Sequence, residues 1–182
     1  MLEYYEFVVS LLGVKPKLWR QFQLKKTATF QDLHQAIQDA CGWEDCHLFS
    51  FSTGMPYDSA KIAKCGENDD DGSDEQVPIA KKIKLKDYFE GNSKCTYLYD
   101  FGDDWIHEVK CNSIVIDSRF KRRLIGGEGT FPPEDCGGIP GYYHCLDVLE
   151  GKEKDSDNLK EWLGDWHSNE FSPQKQMKEF DQ

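Results

Sequence analysis

The stretch Lys94-Cys95-Thr96-Tyr97-Leu98-Tyr99-Asp100-Phe101-Gly102-Asp103-Asp104-Trp105-Ile106-His107-Glu108 decides the fold. Aromatic and apolar side chains dominate residues 94–101, which read as a strand, and residues 105–116 read as a second. Gly102-Asp103-Asp104 between them has the length of a three-residue hairpin loop. The sheet is therefore built from antiparallel neighbours.

Working outward, the N-terminal segment repeats this plan. Tyr4, Phe7, Val9, Leu11 and Leu12 start a strand that ends near Gly13. After Lys15-Pro16, the residues Leu18, Arg20, Phe22 and Leu24 alternate with Trp19, Gln21 and Gln23. Gly13 and Pro16 punctuate a hairpin turn, and period-2 alternation sets Trp19 and Arg20 on opposite faces. Residues 46–51 predict a short strand, 84–89 a helical turn, and 123–125 a further strand.

Helices follow other signals. Thr29 suits an N-cap, with Asp32 three residues later in the position of a capping box. Phe30, Leu33, Ile37 and Ala40 then recur at helical spacing, and Gly42 suits the left-handed residue beyond the last turn. His34 beside that stripe reads as a packed histidine. A second helix is predicted from Pro140, with Tyr142, Cys145, Leu146 and Leu149 on its apolar face. Shorter helices are expected over 157–163 and after Pro173. Hairpins grouped with separate helices predict an α+β fold. We expect one domain over 1–182, a mostly antiparallel curved sheet with helices packed on it.

The chain's 182 residues suffice for a core without disulfide staples. Five Trp, eight Tyr and eleven Phe exclude intrinsic disorder. No apolar run approaches a membrane span, so a membrane role is not expected. Seven Cys, an odd number without a CxxC pair, predict reduced thiols in a cytoplasmic protein. The net charge is −11, but six acids between Glu67 and Glu75 supply more than half of it. That tract, residues 66–77, is expected to be a mobile acidic loop outside the core. A uniform basic footprint for nucleic acid is absent. Basic residues still cluster at Lys81, Lys82, Lys84 and Lys86, and at Lys121, Arg122 and Arg123.

Two segments concentrate chemistry. Asp100, Asp103, Asp104, Trp105, His107 and Glu108 surround one turn, and oxygen ligands with an imidazole suit a cation or acid–base work. Alternation lets Asp100 share a face with only one of His107 and Glu108. The Gly/Pro-rich run from Gly127 to Tyr142 contains Glu134 and Asp135. It lacks the ending of a phosphate-binding P-loop, and irregular loops on rigid scaffolds often carry function. The Cys41/Cys46/His47 grouping fits no zinc-finger spacing, and Pro78 stands where a calcium loop opened at Glu67 needs a bidentate carboxylate. Neither a metal nor a cofactor is assigned.

Several motifs together resemble the plasmid pRiA4b Orf-three-like family, which includes insertion-sequence passenger proteins. They are Lys15-Pro16-Lys17-Leu18-Trp19-Arg20, Asp32-Leu33-His34, Gly42-Trp43 and His47-Leu48-Phe49-Ser50-Phe51. Later come Tyr99-Asp100-Phe101-Gly102-Asp103-Asp104-Trp105, Pro132-Pro133-Glu134-Asp135-Cys136-Gly137-Gly138 and Trp162-Leu163-Gly164-Asp165. The resemblance runs from Tyr5 to about Phe171 and implies a compact α+β fold without a particular activity. Relatives carry Cys immediately before the Pro-Pro-Glu-Asp run, where this chain has Phe131, which weakens any thiolate site here.

Two functional expectations follow. The first is a non-enzymatic interaction module for a protein or nucleic acid, linked to mobile-element proteins. It would use Arg20 with the Trp-bearing sheet and the Gly/Pro loop. The second is a cation-dependent hydrolase or nuclease-like enzyme using the clustered Asp, Glu and His. The candidate residues for either are Arg20, Asp100, Asp103, Asp104, Trp105, His107, Glu134 and Asp135. We further expect the Asp103-Asp104 turn and the Glu134-Asp135 loop to approach one another.

Overall fold

A computed structural model describes residues 1–65, 77–166 and 180–181. Seven strands form one antiparallel sheet: β1 (Leu2–Leu11), β2 (Trp19–Lys25), β3 (Phe49–Ser52), β4 (Lys61–Lys64), β5 (Lys94–Tyr99), β6 (Trp105–Ile116) and β7 (Arg122–Glu128). Their order is β4-β3-β5-β6-β1-β2-β7. The helices are α1 (Phe30–Cys41), α2 (Leu85–Phe89), α3 (Gly138–Leu149) and α4 (Leu159–Leu163). The fold is α+β in a single domain, as its hairpins predict. No described helix is long and apolar enough to cross a membrane.

The β1–β2 hairpin and the β5–β6 hairpin form as expected, and β6 joins them by pairing with β1 from Leu2↔Ile116 to Leu11↔His107. Alternation then sends Phe7, Val9, Phe22, Tyr97, Trp105 and Val109 into one core. α1 covers that face with Phe30, Leu33, Ile37 and Ala40. Thr29 caps α1 by accepting the Asp32 amide at 3.1 Å, while Asp32 accepts the Thr29 amide at 2.7 Å. Such a cap stabilises by about 1 kcal/mol. Gly42 follows at φ +81°, in the left-handed region where a side chain is strained. His34 is a packed histidine, held between Tyr97 Oη (2.8 Å) and Asp45 Oδ1 (2.7 Å) and stacked on Phe49.

Several boundaries differ from expectation. β3 begins at Phe49, because Asp45 turns the chain at φ 59° and side chains instead of a neighbouring strand hold the next amides. β5 ends at Tyr99, and the β5–β6 turn covers five residues. Asp100 and Asp104 both adopt left-handed φ, and the Asp104 amide donates to the Asp100 carbonyl at 2.8 Å. α3 starts at Gly138, and its buried positions are Tyr142, Cys145 and Val148, with Leu146 and Leu149 only half-buried. α4 begins two residues later than expected. β4 had no clear signal in the sequence. The 66–77 tract, apart from Val77, and the segment after Pro173, apart from residues 180–181, lie outside the described residues.

Arg20 is the largest correction. It faces the core and is 1% exposed, so it offers no surface to a partner. Its Nε donates to the Ala40 carbonyl at 2.7 Å and its Nη1 to the Trp19 and Glu128 carbonyls. The guanidinium lies 4.7 Å from the Phe131 ring centre. Core alternation placed this charge inside, and three backbone carbonyls satisfy it there.

Candidate functional site

Strand polarity gathers charged segments at the two ends of the sheet. β3 and β6 begin, and β5 ends, at one of them. Three irregular segments meet there: the α1–β3 connection around His47, the turn from Asp100 to Asp104, and the loop after β7 carrying Glu134 and Asp135. Asp45, Asp100, Asp104 and Asp135 all adopt left-handed φ between 53° and 59°. Each such residue costs roughly 1 kcal/mol, so the surrounding contacts must hold this end in place.

Those contacts are specific. Tyr99, the last residue of β5, donates its hydroxyl to Glu134 and accepts the Cys46 amide at 3.0 Å. Desolvation, followed by the hydrogen bond to Glu134, drives the Tyr99 phenol well above its ordinary pKa. The second Glu134 oxygen accepts the Glu44 amide at 2.8 Å. Asp103 Oδ2 accepts the Gly137 amide at 3.1 Å. A Cβ on Gly138 would lie 2.7 Å from the Asp103 carbonyl, so glycine permits this approach. The turn and the loop therefore meet, as their composition suggested.

At the centre of this junction stands His47. Its Nε2 lies 3.1 Å from Asp135 Oδ1 and 3.6 Å from Asp100 Oδ2. Neither contact is aligned as a hydrogen bond, and Nε2 is a buried atom without a hydrogen-bond partner. Asp100 commits its other oxygen to the Gly102 amide at 2.9 Å, which fixes the carboxylate. The ligand atoms of His47, Asp100 and Asp135 lie within 4.8 Å of one another. Ligands about 2.0–2.2 Å from a shared ion sit roughly 3.0–3.6 Å apart at tetrahedral or cis-octahedral angles. Both measured separations match that spacing. One imidazole with two carboxylates suits zinc or manganese, and three protein ligands leave positions open.

Glu44, Cys46 and Glu134 form a second trio. Glu134 is committed to Tyr99 and the Glu44 amide. The Cys46 thiol is raised by desolvation and then by Glu134, Glu44, Asp135 and Asp45, which disfavours the thiolate a metal needs. This trio is the weaker ligand set. Burial likewise pushes the Cys41 and Cys136 thiols up to about 12, and these are inert core cysteines. All seven cysteines are free.

The other candidate residues separate. Asp104 accepts the Tyr57 hydroxyl at the rim. Trp105 is fully buried beneath the site. His107 is also fully buried, with neither ring nitrogen hydrogen-bonded, between Trp43, Tyr97 and Phe131. Desolvation lowers its pKa to about 4. Neither ring can reach a ligand at the surface, because even-numbered positions of β6 carry the other face. Phe131 fills the core where relatives were expected to carry Cys.

His47, Tyr99 and Glu44 escaped the candidate set. Their partners lie far off in sequence, and the strand expected at 46–51 would have fixed His47 by alternation. Beside His47, a polar recess of about 300 Å³ is lined by Gln31, Asp45, Cys46, His47, Leu48, Phe49 and Cys65.

With that geometry in place, three similarities bear on the chain. A family model described as plasmid pRiA4b ORF-3-like protein matches residues 3–175. The uncharacterized protein y4hQ of Sinorhizobium fredii (strain NBRC 101917 / NGR234) is 30% identical over 166 residues, covering 86% of this chain and 78% of that protein. The crystal structure of MM3350, a protein of unknown function from Methanosarcina mazei Go1, superposes with a TM-score of 0.82 at 30% identity. That match covers 96% of this chain and 98% of the other.

Proposed function

The chain belongs to the plasmid pRiA4b ORF-3-like protein family, and we propose that it works as a non-enzymatic binding module organised by a divalent cation. The cation sits on His47, Asp100 and Asp135, and its open positions take water or an oxygen ligand from a partner protein. One observation carries this reading: a buried imidazole nitrogen without a hydrogen bond, facing two carboxylate oxygens at ligand spacing. The acid–base candidates are otherwise engaged. His107 is sealed in the core, while Asp103 and Glu134 secure backbone amides. Free cysteines fit a reducing, cytoplasmic setting. Titrating manganese or zinc calorimetrically tests the reading. We expect one site, weakened at least about tenfold by His47→Ala or Asp135→Asn; equal affinity in both variants overturns it.

The second reading, a cation-dependent hydrolase, draws on the polar recess beside the ligands. It requires manganese-dependent turnover of bis-p-nitrophenyl phosphate that disappears in Asp100→Asn. Metal binding without turnover leaves the binding module as the reading.

A further inference from the structure

We propose that the opposite end of the sheet binds the phosphodiester backbone of single-stranded nucleic acid. This inference is independent of the cation site. Two clefts of about 210 and 380 Å³ share Lys25 and Thr27 and thus form one groove. Lys25, Lys26, Arg119, Lys121 and Arg122 line it, drawn from the end of β2, the β6–β7 connection and the start of β7. The two basic runs that are separate in sequence converge here. The segment holding Lys81 to Lys86 is joined to the groove wall by Phe30 N–H to the Ile83 carbonyl (3.0 Å) and Leu85 N–H to the Ala28 carbonyl (2.9 Å).

The nearby acids are already engaged. Glu3 pairs with Lys26 at 3.2 Å, and Asp39 with Arg122. Asp32 serves the Thr29 cap, and Asp87 accepts the Lys84 amide. Lys25 and Arg119 therefore leave the groove with excess positive charge. Its connection is also pre-formed. Tyr4 stacks on Phe120 at 4.3 Å, donates its hydroxyl to the Phe120 carbonyl and accepts the Phe120 amide. The Arg123 guanidinium covers the same ring at 4.1 Å. Arg119 thus extends from an anchored neighbour, which reduces the ordering that binding requires. Clefts on the scale of small-ligand pockets, about 300–1,000 Å³, suit one unpaired strand better than a duplex.

Fluorescence anisotropy with a labelled oligothymidylate of about 20 nucleotides at about 50 mM salt tests this, because phosphate neutralisation makes affinity salt-dependent. We expect Lys25→Glu/Arg119→Glu to weaken binding at least tenfold and flatten the logarithmic salt slope by about one unit. Lys152→Glu, on the far α3–α4 connection, should leave binding unchanged. Melting curves establish that each variant is folded, and the single variant Arg119→Gln provides a milder second measure. Absent binding, binding untouched by the reversal, equal or tighter binding to a duplex of the same length, or complete displacement by millimolar inorganic phosphate overturns the proposal.

Discussion

The Tyr99 hydroxyl donates to the Glu134 carboxylate while it accepts the Cys46 amide, so one phenol at the end of β5 joins two loops that the chain brings from opposite sides. That junction sets the separation of His47 from Asp135. Three positions with committed hydrogen bonds, Tyr99, Glu134 and Asp103, surround three whose ligand atoms face one another.

Tyr99→Phe removes both hydrogen bonds and keeps the ring stacked on Trp43 at 5.0 Å. We expect a stability loss of about 1–3 kcal/mol. Cation affinity should also fall, because the loops holding His47 and Asp135 lose their common anchor. Denaturant titration and calorimetry read the two effects separately. An unchanged affinity would show that the ligands are positioned independently of Tyr99.

Gly138→Ala places a Cβ 2.7 Å from the Asp103 carbonyl, at a backbone φ of +68°. The loop must back away from the turn, taking Asp135 from His47. Weaker cation binding with a melting temperature lowered by a few degrees is expected. Asp103→Asn is the milder version: it weakens the acceptor for the Gly137 amide without removing a cation ligand. Its main effect should be on melting.

His107 adds a pH dependence. Its folded pKa is about 4, against an ordinary 6.5, because burial disfavours the charged ring. Between those values the unfolded chain binds more protons. Stability is therefore complete above about pH 6.5 and falls as pH drops towards about 4, by at most about 1.4 kcal/mol per pH unit. Below that window both states are protonated and this contribution stops changing. Chemical denaturation at stepped pH should show a shallower acid limb in His107→Leu than in wild type. Identical limbs would place the acid sensitivity elsewhere.

Arg20→Met strands the Ala40, Trp19 and Glu128 carbonyls in the core, at a cost of about 2–4 kcal/mol. Arg20→Lys should recover little, since an ammonium cannot reproduce the planar fork. Partner binding per folded molecule should not change. A binding defect in a fully stable Arg20 variant would contradict the buried placement.

Local pattern carried most of the architecture. Alternation in residues 18–24 was enough to set Arg20 and Phe22 on one face, and Thr29 with Asp32 and Gly42 marked both ends of α1. These features depend on neighbours within a few residues, which is why they were legible. Burial was harder to judge: alternation sends Arg20 inward, yet only the three carbonyls waiting there show that the charge is tolerated.

The sequence by itself determined an antiparallel α+β domain, its two principal hairpins and the acid-rich turn and loop. Only the tertiary structure decided which acids matter together. His47, Asp100 and Asp135 come from three segments whose meeting depends on the β3–β5 register, the Tyr99 junction and the close approach of Gly138 to Asp103. The basic groove has the same origin, since strand order brings Lys25 and Arg119 to one end of the sheet. Hydrogen-bond ladders and core packing act across long sequence separations, and no spacing within a single segment encodes them.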